Sequence, residues 1–218
     1  WFDSSALPEE LIPYAGLLVN VLGKIGTENF SYEELTKEIN IHTGGINYSM
    51  QGLALNGRDG EFVPKLLVRS KALTDKLPEL LGLLKEIVTG SVFEDTRRLK
   101  EIVQETRSRL EMAINQAGNT MAMNRLSSYF APAGKFAELH SGIAFYHFLC
   151  DVEKNFDEKS KELIEKLART AGLIFRRNSM TAGITLPEQD YASFAGQFAD
   201  FSDSLPVEKM EPVPLEFR

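Results

Sequence analysis

Leu17-Leu18-Val19-Asn20-Val21-Leu22-Gly23-Lys24-Ile25-Gly26-Thr27 runs toward Phe30-Ser31-Tyr32-Glu33-Glu34-Leu35, and then toward Thr43-Gly44-Gly45-Ile46-Asn47. The first string closes an apolar pattern that begins earlier. Pro8 and Pro13 stand where a first helical turn tolerates proline. Leu11, Tyr14, Ala15, Leu18, Leu22 and Ile25 then recur at three- and four-residue spacing. This predicts a helix over about 12–25, buried on its Leu18/Leu22 side and ended by Gly26. Ser31 followed by Glu34 is a capping box, with Phe30 and Leu35 at the hydrophobic-staple positions. The second helix should reach about Ile41 and stop before Gly44-Gly45. There the period changes to two. Ile46, Tyr48 and Met50 alternate with Asn47, Ser49 and Gln51, the pattern of a half-buried strand.

Outward from this stretch, Asn56-Gly57-Arg58-Asp59-Gly60 is a turn cluster. Phe62 to Arg69 reads as the returning strand, and Pro64 marks it as an edge or a bulge. Trp1 to Asp3 reads as the end of another strand. From about Leu73 to Ala171 the pattern is helical almost without break. Leu77, Leu80, Leu81, Leu84 and Ile87 form one stripe; Leu99, Ile102, Val103, Leu110 and Ile114 a second; Phe136, Leu139, Ile143, His147 and Cys150 a third; Leu163, Ile164, Leu167 and Ala171 a fourth. A further strand is expected at about Ser179–Leu186. A last helix then follows with Tyr191, Phe194, Ala195, Phe198 and Phe201 on its buried side. After Leu205 the chain carries Pro206, Pro212 and Pro214 and no helical period, the composition of a spacer. The expected organisation is one domain over 1–205 with a helical insertion at about 73–171. Residues 206–218 form a linker toward an absent following domain. The chain opens on Trp1 and is read as a piece of a longer polypeptide.

The 218 residues carry a net charge of −7, which argues against nucleic acid as the main partner. No apolar run reaches the roughly 18 residues of a membrane span, and no charged segment followed by an apolar core opens the chain. One cysteine excludes an intramolecular disulfide framework and fits a reducing compartment. The candidate chemistry is sparse. His42, His140 and His147 are the only histidines. His140 and His147 lie two helical turns apart with Glu138 just before them, and packing in or beside a helical core is the expected reading. Cys150, on an apolar face near Phe148 and Leu149, reads as a buried inert thiol. Arg97, Arg98, Lys100, Arg107 and Arg109 are interleaved with Glu94, Asp95, Glu101, Glu105 and Glu111, so they read as a self-paired solvated face.

The opening string is more specific. Together with Leu7-Pro8-Glu9-Glu10-Leu11-Ile12-Pro13-Tyr14, His42-Thr43-Gly44-Gly45-Ile46, the stretch around Arg109-Leu110-Glu111, Ala122 and Arg125-Leu126-Ser127-Ser128-Tyr129, and Gly142-Ile143-Ala144-Phe145-Tyr146-His147-Phe148-Leu149, it resembles an insulinase/pitrilysin-type zinc metallopeptidase domain of the presequence-protease branch. In that family an H-x-x-E-H metal helix precedes a Gly-Thr or Gly-Ser, a capped tyrosine-bearing helix and a Gly-Gly pair before a strand. Counting back from Gly26, the two metal histidines fall at Leu17 and Val21 and the catalytic glutamate at Asn20. Leucine, asparagine and valine supply neither zinc ligands nor a base to activate water.

The resemblance implies an α+β fold, helices layered on a mostly antiparallel sheet, and the first domain of a degenerate second half. The implied role is a non-catalytic structural domain walling the peptide chamber of a zinc-dependent peptidase that degrades peptides. Zinc belongs to the parent's catalytic domain, and no catalytic, cofactor-binding or metal residue is assigned in this chain. The implied partners are the other domains of its own polypeptide and peptide in the chamber, not nucleic acid or a membrane. The implied compartment is the cytoplasm, or an organellar matrix in a eukaryote. The alternatives are a non-enzymatic scaffold subunit of the same fold and an unrelated helical adaptor, which would lack a sheet under the first two helices. The isolated chain should bind no stoichiometric zinc after dialysis and cleave no quenched peptide. Zinc at one equivalent with chelator-sensitive cleavage would contradict the reading of Leu17, Asn20 and Val21.

Overall fold

A computed structural model describes residues 1–58 and 60–215 of the chain. Asp59 of the expected turn cluster and the last three residues of the expected linker lie outside the described residues. The fold is α+β. Three antiparallel strands, β1 (Phe2–Asp3), β2 (Ile46–Ala54) and β3 (Phe62–Ser70), form a sheet in the order β1-β3-β2. The sheet excludes the unrelated helical adaptor. The hairpin register runs from Ile46 opposite Ser70 to Ala54 opposite Phe62. Its alternation places Met50 and Leu66 in the core and Ile46, Tyr48, Phe62 and Val68 against it, while Asn47 and Arg69 on the other face are exposed. One face of the sheet therefore carries the helices.

Pro64 belongs to the central strand, neither an edge nor a bulge. It stands opposite Gly52 with the regular register kept on both sides. Its carbonyl accepts from Ser4 N–H at 2.9 Å, so its backbone polar groups point toward β1 and away from β2. The missing N–H therefore removes no bond from the β2–β3 ladder.

The helix α1 (Ile12–Val21) is the centre of the core. Ile12, Ala15, Gly16, Leu17, Leu18 and Val21 are all buried, so the helix is enclosed on every side rather than on one stripe. It ends four residues earlier than its apolar spacing predicts. Leu22 N–H makes the last helical bond, to Leu18 O at 2.9 Å, and Gly23 then adopts a φ of 73°. Leu22 and Ile25 remain buried beyond this turn, which is why their spacing imitates a longer helix. Gly16 is where α1 crosses the helix α6 (Pro132–Ser141). A Cβ at Gly16 would lie 2.3 Å from the carbonyl oxygen of His140, a backbone atom that has no rotamer to yield.

The helix α2 (Tyr32–His42) starts as the sequence implies. Ser31 Oγ accepts from Glu34 N–H and Glu34 reaches back to Ser31 N–H at 3.0 Å. The long helical region resolves into α3 (Leu77–Gly90), α4 (Thr96–Gln116), α5 (Gly118–Ser127), α6, α7 (Ile143–Lys154) and α8 (Phe156–Ile174). Helices α4, α6, α7 and α8 all touch α1. The stripe expected across 136–150 is broken at Gly142, where α6 gives way to α7. The buried carboxylate of Glu138 receives Ala144 N–H in the first turn of α7 at 2.8 Å and the guanidinium of Arg125 at 2.6 Å. Negative charge at a helix N-terminus is favoured by the exposed N–H groups there, and Arg125 supplies the counter-charge a buried carboxylate needs.

Two expectations near the C-terminus differ. The stretch 179–186 forms no strand: it contains a single bridge from Met180 to Phe2, then irregular chain without a ladder. In α9 (Tyr191–Asp203), Phe194 and Phe201 are buried and Phe198 packs against them, but Tyr191 in the first turn is exposed. The described tail, 206–215, has no regular structure and is bonded to its own domain: Val213 N–H donates to Ser5 O at 2.8 Å, and Arg177 N–H to Pro206 O at 2.9 Å.

Gly16→Ala should destabilise the chain by about 1–3 kcal/mol, because the added methyl meets backbone. Leu18→Ala should cost about 2–5 kcal/mol, and Ser31→Ala only about 0.5–2 kcal/mol as a lost cap. Urea melts test the ranking. A Gly16→Ala chain as stable as the parent would mean that α1 and α6 do not cross in contact.

Candidate functional site

The positions singled out by the sequence lie together on the last turns of α1. Leu17 and Val21 are fully buried and belong to the main apolar core. Asn20, half-buried, turns its amide onto the helix and donates to Gly16 O at 2.7 Å. Its oxygen accepts from the guanidinium of Arg109 on α4. Arg109 also meets Glu105 at 3.5 Å, and Glu105 meets Lys24 at 3.0 Å. Lys24 and Arg109 together hold the Glu105 carboxyl below the usual carboxylate range, the Lys24 hydrogen bond being the largest cause. The last turns of α1 are thus closed by packing at Leu17 and Val21 and by a polar chain to α4 at Asn20. An amide engaged in this way is neither a ligand nor a base. Among the described residues no three His, Cys, Asp or Glu side chains converge in a way that would hold a metal ion.

The histidines fall into three environments. His140 is buried, its ring edge-on to Phe136 at 4.9 Å between centroids. Burial pushes its pKa down to about 4, so it is neutral at pH 7. His147, expected on the same stripe, is exposed on α7, because the break at Gly142 turns Phe145, Leu149 and Val152 inward instead. His42 closes α2 beside Glu38 at 3.1 Å, and its Nδ1 lies 3.9 Å from Glu79 of α3. Cys150 is half-buried, not enclosed as expected, and Arg107 beside it reaches both Glu111 at 2.7 Å and Glu153 at 2.5 Å.

The charge run on α4 pairs along the helix as its spacing implies, with Arg98 to Glu101 at 3.0 Å among the pairs. It also makes tertiary contacts that spacing cannot reveal. Arg98 Nε donates to Lys24 O at 3.0 Å and its guanidinium lies 4.5 Å above the Tyr32 ring. Sequence reasoning likewise missed Glu138 and Arg125 as a pair. They are thirteen residues apart with a helix break between them, so no helical register joins them.

Large apolar side chains are exposed on α5 and the turn after it, among exposed Asn119, Thr120 and Asn124. Met123 is 70% exposed, Leu126 57%, Tyr129 68% and Phe130 80%. Among the described residues no helix is long and apolar enough to cross a membrane.

Residues 1–152 match the peptidase M-16C associated family, and the chain belongs to that family. It is 37% identical over 194 residues, 89% of its length, to protein HypA of Clostridium perfringens. It is 27% identical over 205 residues, 94% of its length, to presequence protease 1, chloroplastic/mitochondrial, of Arabidopsis thaliana. It is 26% identical over 209 residues, 94% of its length, to the mitochondrial presequence protease of Drosophila melanogaster. It spans about a fifth of the length of these curated relatives, 20%, 19% and 20% respectively.

The buried His140 gives stability a pH dependence of defined sign. Its folded value lies below the ordinary 6.5, so the contribution is complete above pH 6.5. It is lost as pH falls toward 4, where the unfolded chain takes up a proton that the folded chain refuses. The loss should total about 2–3 kcal/mol. Urea melts of the parent and a His140→Leu chain between pH 7 and 4.5 test it. The variant should lose less stability over that interval, and identical losses would contradict the assignment.

Proposed function

Starting from that family membership, we propose that the chain is a non-catalytic wall domain of a zinc-dependent peptidase that degrades peptides. The observation that carries this reading is the pairing of a sealed α1 with an open α5. The turn of α1 where the family's chemistry would stand is given over to core packing and to the Asn20–Arg109 contact. The apolar side chains of α5 and its turn, by contrast, face outward. Monomers seldom expose a contiguous apolar patch beyond a few hundred Å², and larger ones mark contact surfaces. Met123, Leu126, Tyr129 and Phe130 are the residues we assign to contact with other domains of the parent polypeptide or with peptide inside its chamber.

In this reading zinc and the water it activates belong to the catalytic domain of the parent, and this domain supplies enclosure. Domain interfaces within one chain typically bury roughly 600–1,500 Å², and a patch centred on two exposed aromatics suits such a contact. The domain's partners are then its own polypeptide and a captured peptide, with no call on nucleic acid or membrane. Its compartment is the cytoplasm, or an organellar matrix where the parent is organellar. The tail 206–218 is the connection to a following domain, and residues 1–205 are the folding unit.

The test is reconstitution. The catalytic half and this chain, supplied as separate polypeptides, should co-sediment at tens of micromolar, and peptidase activity should rise on mixing. The double substitution Leu126→Ser and Phe130→Ser should weaken the association by roughly tenfold or more. Full activity of the catalytic half alone, with no association, would remove the wall role.

A further inference from the structure

No residue of α5 (Gly118–Ser127) is buried. Its large apolar side chains Met123 and Leu126 are more than half exposed, and so are Tyr129 and Phe130 in the turn after it. Side chains left in water add little to the attachment of a helix. The local supports are few as well. With 10 residues, α5 is shorter than the roughly 12–15 that an isolated helix needs to persist in water. Gly118, Asn119, Thr120, Asn124 and Ser127 are poor helix formers, and no side chain caps the first turn. Residues outside helical geometry join this segment to its neighbours: Ala117, at φ −131° and ψ 43°, and Ala131, at φ −133° and ψ 129°.

The side chain that reaches inward from α5 is Arg125. Its Nη1 donates to Glu138 Oε1 at 2.6 Å, and the Glu138 side chain is 1% exposed. The same oxygen takes Ala144 N–H. The second oxygen, Oε2, is buried without a hydrogen-bond partner and lies where a Cβ at Gly142 would come within 2.2 Å. Among the described residues, Arg125 is the counter-charge of this buried carboxylate. The same guanidinium also serves the surface. Its Nε donates to the Tyr129 hydroxyl at 3.3 Å, and its carbon lies 5.6 Å from the centre of the Tyr129 ring. One side chain therefore joins a carboxylate in the interior to an aromatic of the exposed face. At the end of α5, a Cβ at Gly134 would lie 2.6 Å from Ser127 O, so α6 carries a glycine where α5 rests on it.

We propose that α5 and its turn form a separately opening flap, latched to the domain by Arg125 on Glu138, and that Arg125 is the positioning residue of the exposed apolar face. The flap comprises 118–131 and hinges at Ala117 and Ala131. Latched, it holds Met123, Leu126, Tyr129 and Phe130 outward in one arrangement, with Tyr129 fixed through Arg125 itself. Released, it carries all four away from the domain while the core around α1 stays closed. A segment with few buried apolar contacts opens at a lower free energy than the core, and here a charge-assisted hydrogen bond is what opening must break. The use of this face for contact rests on the wall reading; the flap and its latch do not.

Hydrogen exchange of the 218-residue chain tests the latch. In the parent, the amides of Ala122 and Leu126 should exchange at least about tenfold faster than those of Leu17 and Leu18 in α1. The variant combines Arg125→Met with Glu138→Gln, which removes the latch, leaves no unpaired charge inside and keeps an acceptor for Ala144 N–H. Ala122 and Leu126 should then exchange about tenfold faster again, with Leu17 and Leu18 within about twofold of the parent. Equal exchange of α5 and α1 in the parent would overturn the proposal, and so would a variant that accelerates both helices alike or neither. The catalytic half, supplied as a separate polypeptide, reads the positioning role. The variant keeps all four exposed side chains of the face, yet should bind the catalytic half about tenfold more weakly than the parent does. Equal binding by variant and parent would overturn the positioning role. Exchange that splits as expected, with no binding even by the parent, would uphold the latch and remove the wall reading.

Discussion

The enclosure of α1 is the constraint on which the rest of the structure depends. A helix carrying buried Ile12, Leu17, Leu18, Val21 and Leu22 around its circumference and at its end needs cover on more than one side. At about 1.5–3 kcal/mol per buried side chain, leaving those five exposed would forgo on the order of 10 kcal/mol, as much as a domain's whole stability. The sheet covers one side of the helix and cannot cover the others. The helices α4, α6, α7 and α8 complete the enclosure, so the long helical region is the other half of the core and no appendage. Gly16 sets how closely this closes. With no side chain there, the backbone of α6 at His140 comes within reach of α1, and Phe136 and His140 pack beside it.

The same constraint decides what the helix can do. Zinc chemistry needs ligands with lone pairs pointing into a space that water and substrate can enter. At Leu17 and Val21 there are only methyl groups, and the space they point into is filled. At Asn20 the one polar side chain is held between its own helix and Arg109. A helix sealed in this way fits the wall role proposed above. Four of the exposed apolar residues, Met123, Leu126, Tyr129 and Phe130, sit on α5 and the turn after it.

Much of this is legible in the sequence, for reasons particular to each element. Ser31 and Glu34 announce α2 because a capping box is a local arrangement of four residues. The β2 alternation is visible because one face of the sheet is wet. The end of α1 is misplaced because Leu22 and Ile25 stay buried after the helix stops, and periodicity registers burial rather than hydrogen bonding. Pro64 suggests an edge when read alone. Only the strand order shows that its missing N–H faces the short β1. The Glu138–Arg125 pair and the Asn20–Arg109 contact link residues with no common register, so composition and spacing contain no trace of them. Positions 17, 20 and 21 stand out only through a resemblance, and only packing shows Leu17 and Val21 in the core and Asn20 held by Arg109.

One variant tests the central claim, that this helix has been committed to the core. It combines Leu17→His, Asn20→Glu and Val21→His, writing the H-x-x-E-H pattern back into α1. Unfolding by urea, followed with and without zinc, is the measurement. Two imidazoles placed in a filled apolar core should destabilise the chain by several kcal/mol, with no recovery on adding zinc. A triple variant that folds with the parent's stability and holds one equivalent of zinc would show that the site had kept its room and its access, and would contradict the account.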